Sequence, residues 1–302
     1  MRGAPFHLPG RILGIDAGGS GTRVVLLEDG TVTPQPDGPP MNVLLTDGFA
    51  GHLLRIIEAA GVTAAGAGLA GLRRQAQARE LAETLSSQAG CLVHVTGDAA
   101  AAQAGAFLGG PGVVVIAGTG SMAFGRDGER HARAGGHGFL LGDEGSAYWI
   151  GRAAVRAALR FQDGMGGSEL IHRTVLAVTG VSLDTLVSDI CTHPAERGRL
   201  TALAPALTAL AAEDRQAERI ARRAAEHLAA LAGSIRNRLG PLPVAGAGGV
   251  FGAAVIWDRF AELTGATRPL APAAVGAALL AAQQQAQQPQ QGQQDQRGAG
   301  RA

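Results

Sequence analysis

Apolar positions along this chain follow two periods, and the way those periods alternate sets the first expectations. Residues 11–15 form a short apolar run that leads into a glycine-rich turn at 16–22. A second run at 23–27 closes on Glu28-Asp29-Gly30, so the segment reads as strand, turn, strand, turn. The same grammar returns at 113–116, the glycine turn 117–121, the run 122–124 and Arg126-Asp127-Gly128. Two units with one punctuation point to an internal duplication at the level of domains, each half opening on a β-hairpin. Between them, residues 49–60 and 73–88 have the spacing of helices, while 62–69 and 91–96 look like strands. That alternation predicts a mixed α/β sheet with helices on its faces. Alanine-rich runs at 146–161 and 214–239, with Ile220, Leu228, Leu231 and Ile235 spaced in threes and fours, predict long helices and a more helical second half. Residues 271–282 predict a last helix. From about residue 283 the glutamine-rich sequence has too little apolar surface to order.

Length and composition narrow the class. With 302 residues and 46% hydrophobic content the chain can bury two cores of ordinary domain size. A net charge of +1 and 4% aromatic residues give no footprint for nucleic acid or for an anionic membrane, so the expected partner is small. No long apolar run precedes the first strand and none of spanning length follows, which leads to the expectation of a cytoplasmic enzyme. Cys91 and Cys191 are the only cysteines; they argue against a disulfide framework and are accounted for by ordinary packing. All 26 basic residues other than histidine are arginines. Without lysine there is no Walker-type phosphate loop, Schiff base or lysine general base, and nucleotide chemistry must use backbone amides, carboxylates and a metal.

The candidate chemistry sits at the turns. Gly18, Gly19 and Gly21 let the 16–22 turn approach an anion closely, and Asp16, at the end of its strand, is placed to hold magnesium through water. Taken alone the turn is equally a plain hairpin turn; the second one, with Gly118, Thr119 and Gly120, is what favours a phosphate site. Asp98 follows a strand and opens a helical run. It reads either as a helix cap or as the base for an acceptor hydroxyl. Asp143 and Glu144 near the start of the next helix are dipole partners or, given the flanking glycines, part of a binding loop. His131 and His137 have no nearby cysteine, which speaks against zinc. The turn through Gly246, Gly248 and Gly249 offers a seat for a flat ring, adenine with its ribose. A dinucleotide fold would place such glycines in its first βα turn, not near the end.

With those residues in view, the chain resembles the BadF/BadG/BcrA/BcrD ATPase family, which includes N-acetylglucosamine kinases. The motifs are Gly14 to Thr22, Thr96-Gly97-Asp98-Ala99-Ala100, Ile116 to Ser121, Gly142 to Gly151 and Gly246 to Phe251, and the likeness runs over about residues 11–283. It implies an α/β fold of two actin-like (ribonuclease H-like) domains with a nucleotide cleft between them. The expected divisions are 1–108 and 109–271, with the helix at 272–283 packing back on the first domain and 284–302 as a disordered tail. It implies ATP and Mg2+, phosphate contacts at Thr22 and Thr119, Asp98 as the catalytic carboxylate, and nucleotide contacts at Gly248 and Gly249. Asn42, otherwise a turn residue, matches the asparagine that contacts the sugar. Ser121, Gly136 and Asp143 would line the same sugar. His137 stands where such kinases carry tryptophan, and Met122 replaces a polar neighbour, so the acceptor is less determined than the fold. The implied reaction transfers the γ-phosphoryl of ATP to the 6-hydroxyl of N-acetylglucosamine, glucosamine or a related hexosamine. A homodimer is compatible with it. Two other readings use the same fold: an ATPase that activates an iron–sulfur radical enzyme, and a sugar or nucleotide sensor without transfer.

Overall fold

The computed structural model describes residues 10–287 except Ser20, Leu45, Arg73 and residues 194–197. The chain divides into two units: described residues up to Gly109 rejoin those from Leu270 onward, and Gly110–Pro269 make the second.

In the first unit, β1 (Arg11–Gly18) and β2 (Gly21–Glu28) form the expected hairpin, with Gly18 opposite Gly21. β3 (Thr31–Pro34) extends it, while β4 (Ala64–Leu69) and β5 (Leu92–Gly97) run parallel to β1. The sheet order is β3-β2-β1-β4-β5. Because β1 and β4 are buried on both faces they read as continuous apolar runs, as central strands of such a sheet do. One core gathers Leu13, Ile15 and Val93 with Leu53 and Ile57 of α1 (Phe49–Ala60) and Leu85 of α2 (Gln75–Ala89).

The other core joins Ile12, Val25 and Leu27 to α10 (Ala273–Gln287), which also packs along α3 (Asp98–Ala106). This approach is close enough to require glycine. A β-carbon on Gly66 of β4 would lie 1.9 Å from the Ala277 carbonyl oxygen, and one on Gly276 would lie 2.0 Å from that of Ala101. α10 runs to Gln287, through residues whose composition predicts a tail, and the Gln284 Oε1 lies 2.5 Å from the Nδ1 of half-buried His94 on β5. Glutamine is a good helix former, and a tertiary partner suffices to hold it in register. The rest of the expected tail, 288–302, lies outside the described residues.

The second unit repeats the opening hairpin with β6 (Gly112–Ala117) and β7 (Ser121–Asp127), followed by β8 (Arg130–Gly135). β9 (Val244–Ala247) joins β6 in parallel to give the order β8-β7-β6-β9. Among the described residues, six α-helices complete it: α4 (Ala147–Gln162), α5 (Glu169–Thr179), α6 (Leu183–Thr192), α7 (Gly198–Ala209), α8 (Arg215–Leu239) and α9 (Ala254–Thr264). Their core centres on Ile150, Ile171, Leu228, Ile235, Phe251 and Phe260. Among the described residues no single helix is long and apolar enough to cross a membrane; the bent pair α5 and α6 buries Ile171, Val175, Leu183 and Leu186 in this core.

Candidate functional site

The carboxyl edge of the first sheet collects the chemistry-bearing residues of that unit. Asp16 on β1 pairs in register with Gly68 on β4, which pairs with Thr96 on β5, and Asp98 follows two residues later. The start of α3 folds back over β4, since a β-carbon on Gly68, the neighbour of Asp16 in the sheet, would come 3.7 Å from the Asp98 α-carbon. Gly97 takes the cap position of α3 and Asp98 is its first helical residue, with one carboxylate oxygen 2.8 Å from the Ala99 amide. Burial lifts the Asp16 carboxyl to a pKa of about 6, the charge of Asp98 pushes it the same way, and Arg23 partly opposes them. A buried carboxyl whose charge is further disfavoured by a second carboxylate is one that a divalent cation would relieve.

Asn42 belongs to the same edge. The Met41 amide donates to the Gly18 carbonyl and the Val43 amide to that of Ala70, so residue 42 is pinned between the ends of β1 and β4. Its side-chain oxygen accepts from the Leu44 amide at 2.9 Å, which is the geometry of a local turn. Thr22 is buried: its hydroxyl donates to the Pro39 carbonyl at 2.6 Å and its amide to Gly38 at 3.1 Å. Both donors of Thr22 tie the 38–41 segment to the hairpin. At Gly19, by contrast, an added β-carbon would meet nothing within 4 Å, so packing does not explain the glycine there.

In the second unit the corresponding turn is braced by the loop before α4. Asp143 holds a left-handed backbone, φ 60°, rare without glycine, and its carboxylate accepts from the Ser121 amide at 3.3 Å and from the Gly138 amide. Gly120 leaves room for it: a β-carbon there would lie 2.8 Å from Asp143 Oδ2. Burial raises the Asp143 pKa and the charge of Glu144 adds to that, against the two amides and His137. Ser121 is buried and its hydroxyl donates to the Glu144 carbonyl at 2.7 Å; the Gly136 amide donates to the Ser121 carbonyl. His137 is exposed.

A cavity of about 930 Å³ lies wholly within this unit. Gly118 and Thr119 border it on one side, and Gly249, Val250, Gly252 and Ala253 of the turn after β9 on another. The rest of its wall comes from α7 and the turn that follows, with Thr201, Ala204, Pro205 and Thr208, from Glu218 of α8, and from Ile150 of α4 and Ile256 of α9. The volume falls in the range of small-molecule sites. β-Carbons at Gly118 and Gly249 would be in open space. Thr119 is exposed, whereas Gly118 spends its own amide on the Gly120 carbonyl.

The other glycines of the last turn have different reasons. A β-carbon on Gly246 would meet the rings of Trp257, Phe260 and Phe251, so the aromatic groups that lie on this backbone are the protein's own. Gly248, at φ 103°, would put a β-carbon 2.3 Å from the Ala117 carbonyl oxygen. Of the three, Gly249 alone reaches the cavity. The α7 wall and Glu218 are absent from the sequence reading, because nothing in an alanine-rich helix interrupted by Pro205 marks it as a cavity wall.

Comparison with known proteins agrees with this architecture. The sequence profile of the BadF/BadG/BcrA/BcrD ATPase family matches residues 13–281. An N-acetylmuramic acid/N-acetylglucosamine kinase of Clostridium acetobutylicum is 45% identical over 83 residues, which is 27% of this chain and 27% of that protein. A crystal structure of a Chromobacterium violaceum protein provisionally assigned as an N-acetylglucosamine kinase superposes with a TM-score of 0.69 at 28% identity, over 90% of this chain and 99% of the other. A ROK family glucokinase from Streptomyces griseus, in complex with glucose and AMPPNP, shares the fold at 17% identity and a TM-score of 0.58, covering 91% and 99%. The two units are thus of the actin-like kind found in these sugar kinases.

Proposed function

The chain belongs to the BadF/BadG/BcrA/BcrD ATPase family, and from that premise we propose that it is an ATP-dependent amino-sugar kinase whose acceptor is the 6-hydroxyl of N-acetylglucosamine or a related hexosamine. The observation that carries the reading is the cavity of about 930 Å³, which brings two glycine turns far apart in sequence, at Gly118 and Gly249, to one nucleotide-sized space. The matched kinases of Clostridium acetobutylicum and Chromobacterium violaceum support the sugar class.

In this reading the second unit holds the phosphoryl donor, with Thr119 at its phosphates and the apolar walls around the nucleoside. Asp98 of the first unit accepts a hydrogen bond from the acceptor hydroxyl and takes its proton as the sugar oxygen bonds to the γ-phosphorus and the bond to the β-phosphate oxygen breaks. Such transfers depend mostly on positioning and charge neutralisation, so the carboxylate chiefly orients the nucleophile. Asp16, with Asp98 beside it, fits Mg2+ held partly through water. Among the described residues no three His, Cys, Asp or Glu side chains are grouped so that they could hold a metal ion, and a magnesium ion that keeps water and phosphate ligands needs no more than one or two carboxylates. Bound there, the ion would neutralise charge on the phosphoryl oxygens. Asn42, Gly136, His137 and Asp143 are the residues assigned to the sugar, Ser121 shaping their loop; Gly18, Gly19, Gly21 and Thr22 shape the first turn. The family's iron–sulfur activators would need cysteines to meet at a shared interface; here Cys91 is half-buried before β5 and Cys191 exposed on α6.

The test is ADP release measured across N-acetylglucosamine, glucosamine, N-acetylmuramic acid and glucose. Stimulation by an amino sugar is expected, and Asp98→Asn should lower kcat by about 10²–10⁴ while ATP binding stays within twofold. Hydrolysis indifferent to every sugar would instead support the activator ATPase. Nucleotide and sugar binding without any turnover would support a sensor.

A further inference from the structure

Glu218 is the one charged side chain among the described residues that line the cavity of the second unit. Its neighbours on that wall are small and apolar, Ala211 and Ala212 of the turn before α8 among them, and the hydroxyls of Thr201 and Thr208 donate to carbonyls of their own helix. A carboxylate is a poor companion for a triphosphate, since like charges repel across a low-dielectric space. In a nucleotide cavity it therefore belongs at the uncharged nucleoside end, opposite in function to Thr119. It accepts hydrogen bonds and cannot donate them, so it selects for donors on the ligand.

A nucleoside presents two kinds of donor: the ribose hydroxyls and the exocyclic amine of the base. The position of Glu218 decides between them. Its side chain is 44% exposed and lies 3.8 Å from the Arg222 guanidinium, so it sits at the solvent rim, not among Ile150, Val250 and Ile256 where a flat base finds apolar surface. Resting on the kinase reading above, we infer that Glu218 is a specificity-determining residue that accepts hydrogen bonds from the ribose 2′- and 3′-hydroxyls of the phosphoryl donor. A plain structural role also exists, because Glu218 occupies the first turn of α8, where a negative charge favours the helix. The test must read something that role would not move.

That readout is the ratio of dissociation constants for ATP and its 2′-deoxy and 3′-deoxy analogues, measured by calorimetric titration on the full chain without sugar. Hydrogen bonds to a charged group predict that the wild type binds ATP about tenfold or more tightly than at least one deoxy analogue. In Glu218→Ala the gap should close to within about twofold, through weaker ATP binding with the deoxy analogue little changed. Glu218→Gln, which keeps an acceptor oxygen, should fall between. Arg222→Gln, which removes only the ion-pair partner, should keep the wild-type ratio. Equal binding of all three nucleotides by the wild type overturns the inference, as does a ratio that Glu218→Ala leaves unchanged. A change confined to the ratio of ATP to inosine triphosphate, which lacks the amine, overturns it in favour of base recognition. If ATP fails to bind at all, the kinase reading falls and takes this inference with it.

Discussion

Asp16 carries a conflict between stability and chemistry that single substitutions can expose. Its folded pKa of about 6 stands above the ordinary 3.8 because burial, and then Asp98, disfavour its charge. Between those two values the native state keeps a proton that the unfolded chain has lost. The favourable contribution is therefore complete below about pH 4 and disappears as pH rises through 6, leaving a charged group that costs about 3 kcal/mol in the metal-free protein. Asp16→Asn should flatten the pH dependence of Tm between pH 4 and 7 and hold Tm at pH 7.5 at or above the wild-type value, while turnover drops at least about a hundredfold. A variant with a steeper pH dependence would contradict the burial argument. Asp16 and Asp98 are readable in the sequence as acidic residues after apolar runs, although β1 continues past Asp16 to Gly18 and Asp98 is already the first residue of α3. The partners of Thr22 and Ser121 are not: hydroxyls look the same whether they face a ligand or bond to Pro39 and Glu144, and only tertiary contacts distinguish the two.

At the scale of elements, α8 shows how one side chain anchors two helices. Asp214 caps it, accepting from the Gln216 and Ala217 amides at 2.8 Å each, and also receives the hydroxyl of Ser168, which itself caps α5 through the Ile171 amide. Burial would raise the Asp214 pKa, but the Ser168 hydroxyl, those two amides and Arg219 together hold it below its ordinary value. A depressed pKa means stability present above pH 4 and lost as pH falls further. Asp214→Ala should cost about 0.5–2 kcal/mol at pH 7 by urea unfolding, and less at pH 3. Asp214→Asn, which can still cap, should lose less at pH 7 and show little acid sensitivity. Helices of this kind announce themselves: the threes-and-fours spacing and an aspartate before the run give α8 its start, and the bounds of α1 follow equally from its apolar stripe. α7 does not, since Pro205 and all-round small residues blur its period, and β3, fully exposed, has no apolar alternation to read. The end of α10 is missed because Gln284 is held by His94 on a strand 190 residues earlier, a contact no local pattern contains.

For the whole molecule, the order of the chain makes the two units unequal. The second, Gly110–Pro269, is continuous and contains its own sheet, its own core and every residue that lines the cavity. The first is completed only when the chain returns at Leu270 and α10 covers Ile12, Val25, Leu27 and Ala64 with Ala274, Ala278 and Leu279. The glycines at 66 and 276 show how little slack that docking has, since a single methyl at either would press within about 2 Å of a carbonyl oxygen. Gly276→Val should therefore lift α10 from its groove and destabilise the first unit, because overpacking against backbone cannot be relieved by a rotamer change. The second unit should be indifferent to it. Hence a fragment of residues 110–269 is expected to unfold cooperatively by itself and to gain thermal stability on adding ATP. A fragment of residues 10–109 should remain unfolded until a peptide spanning 270–287 is supplied. Nucleotide stabilisation of full-length Gly276→Val comparable to that of the wild type would agree with a cavity built by the second unit alone. Loss of binding from the 110–269 fragment, despite a cooperative transition, would mean that residues of the first unit also hold the nucleotide.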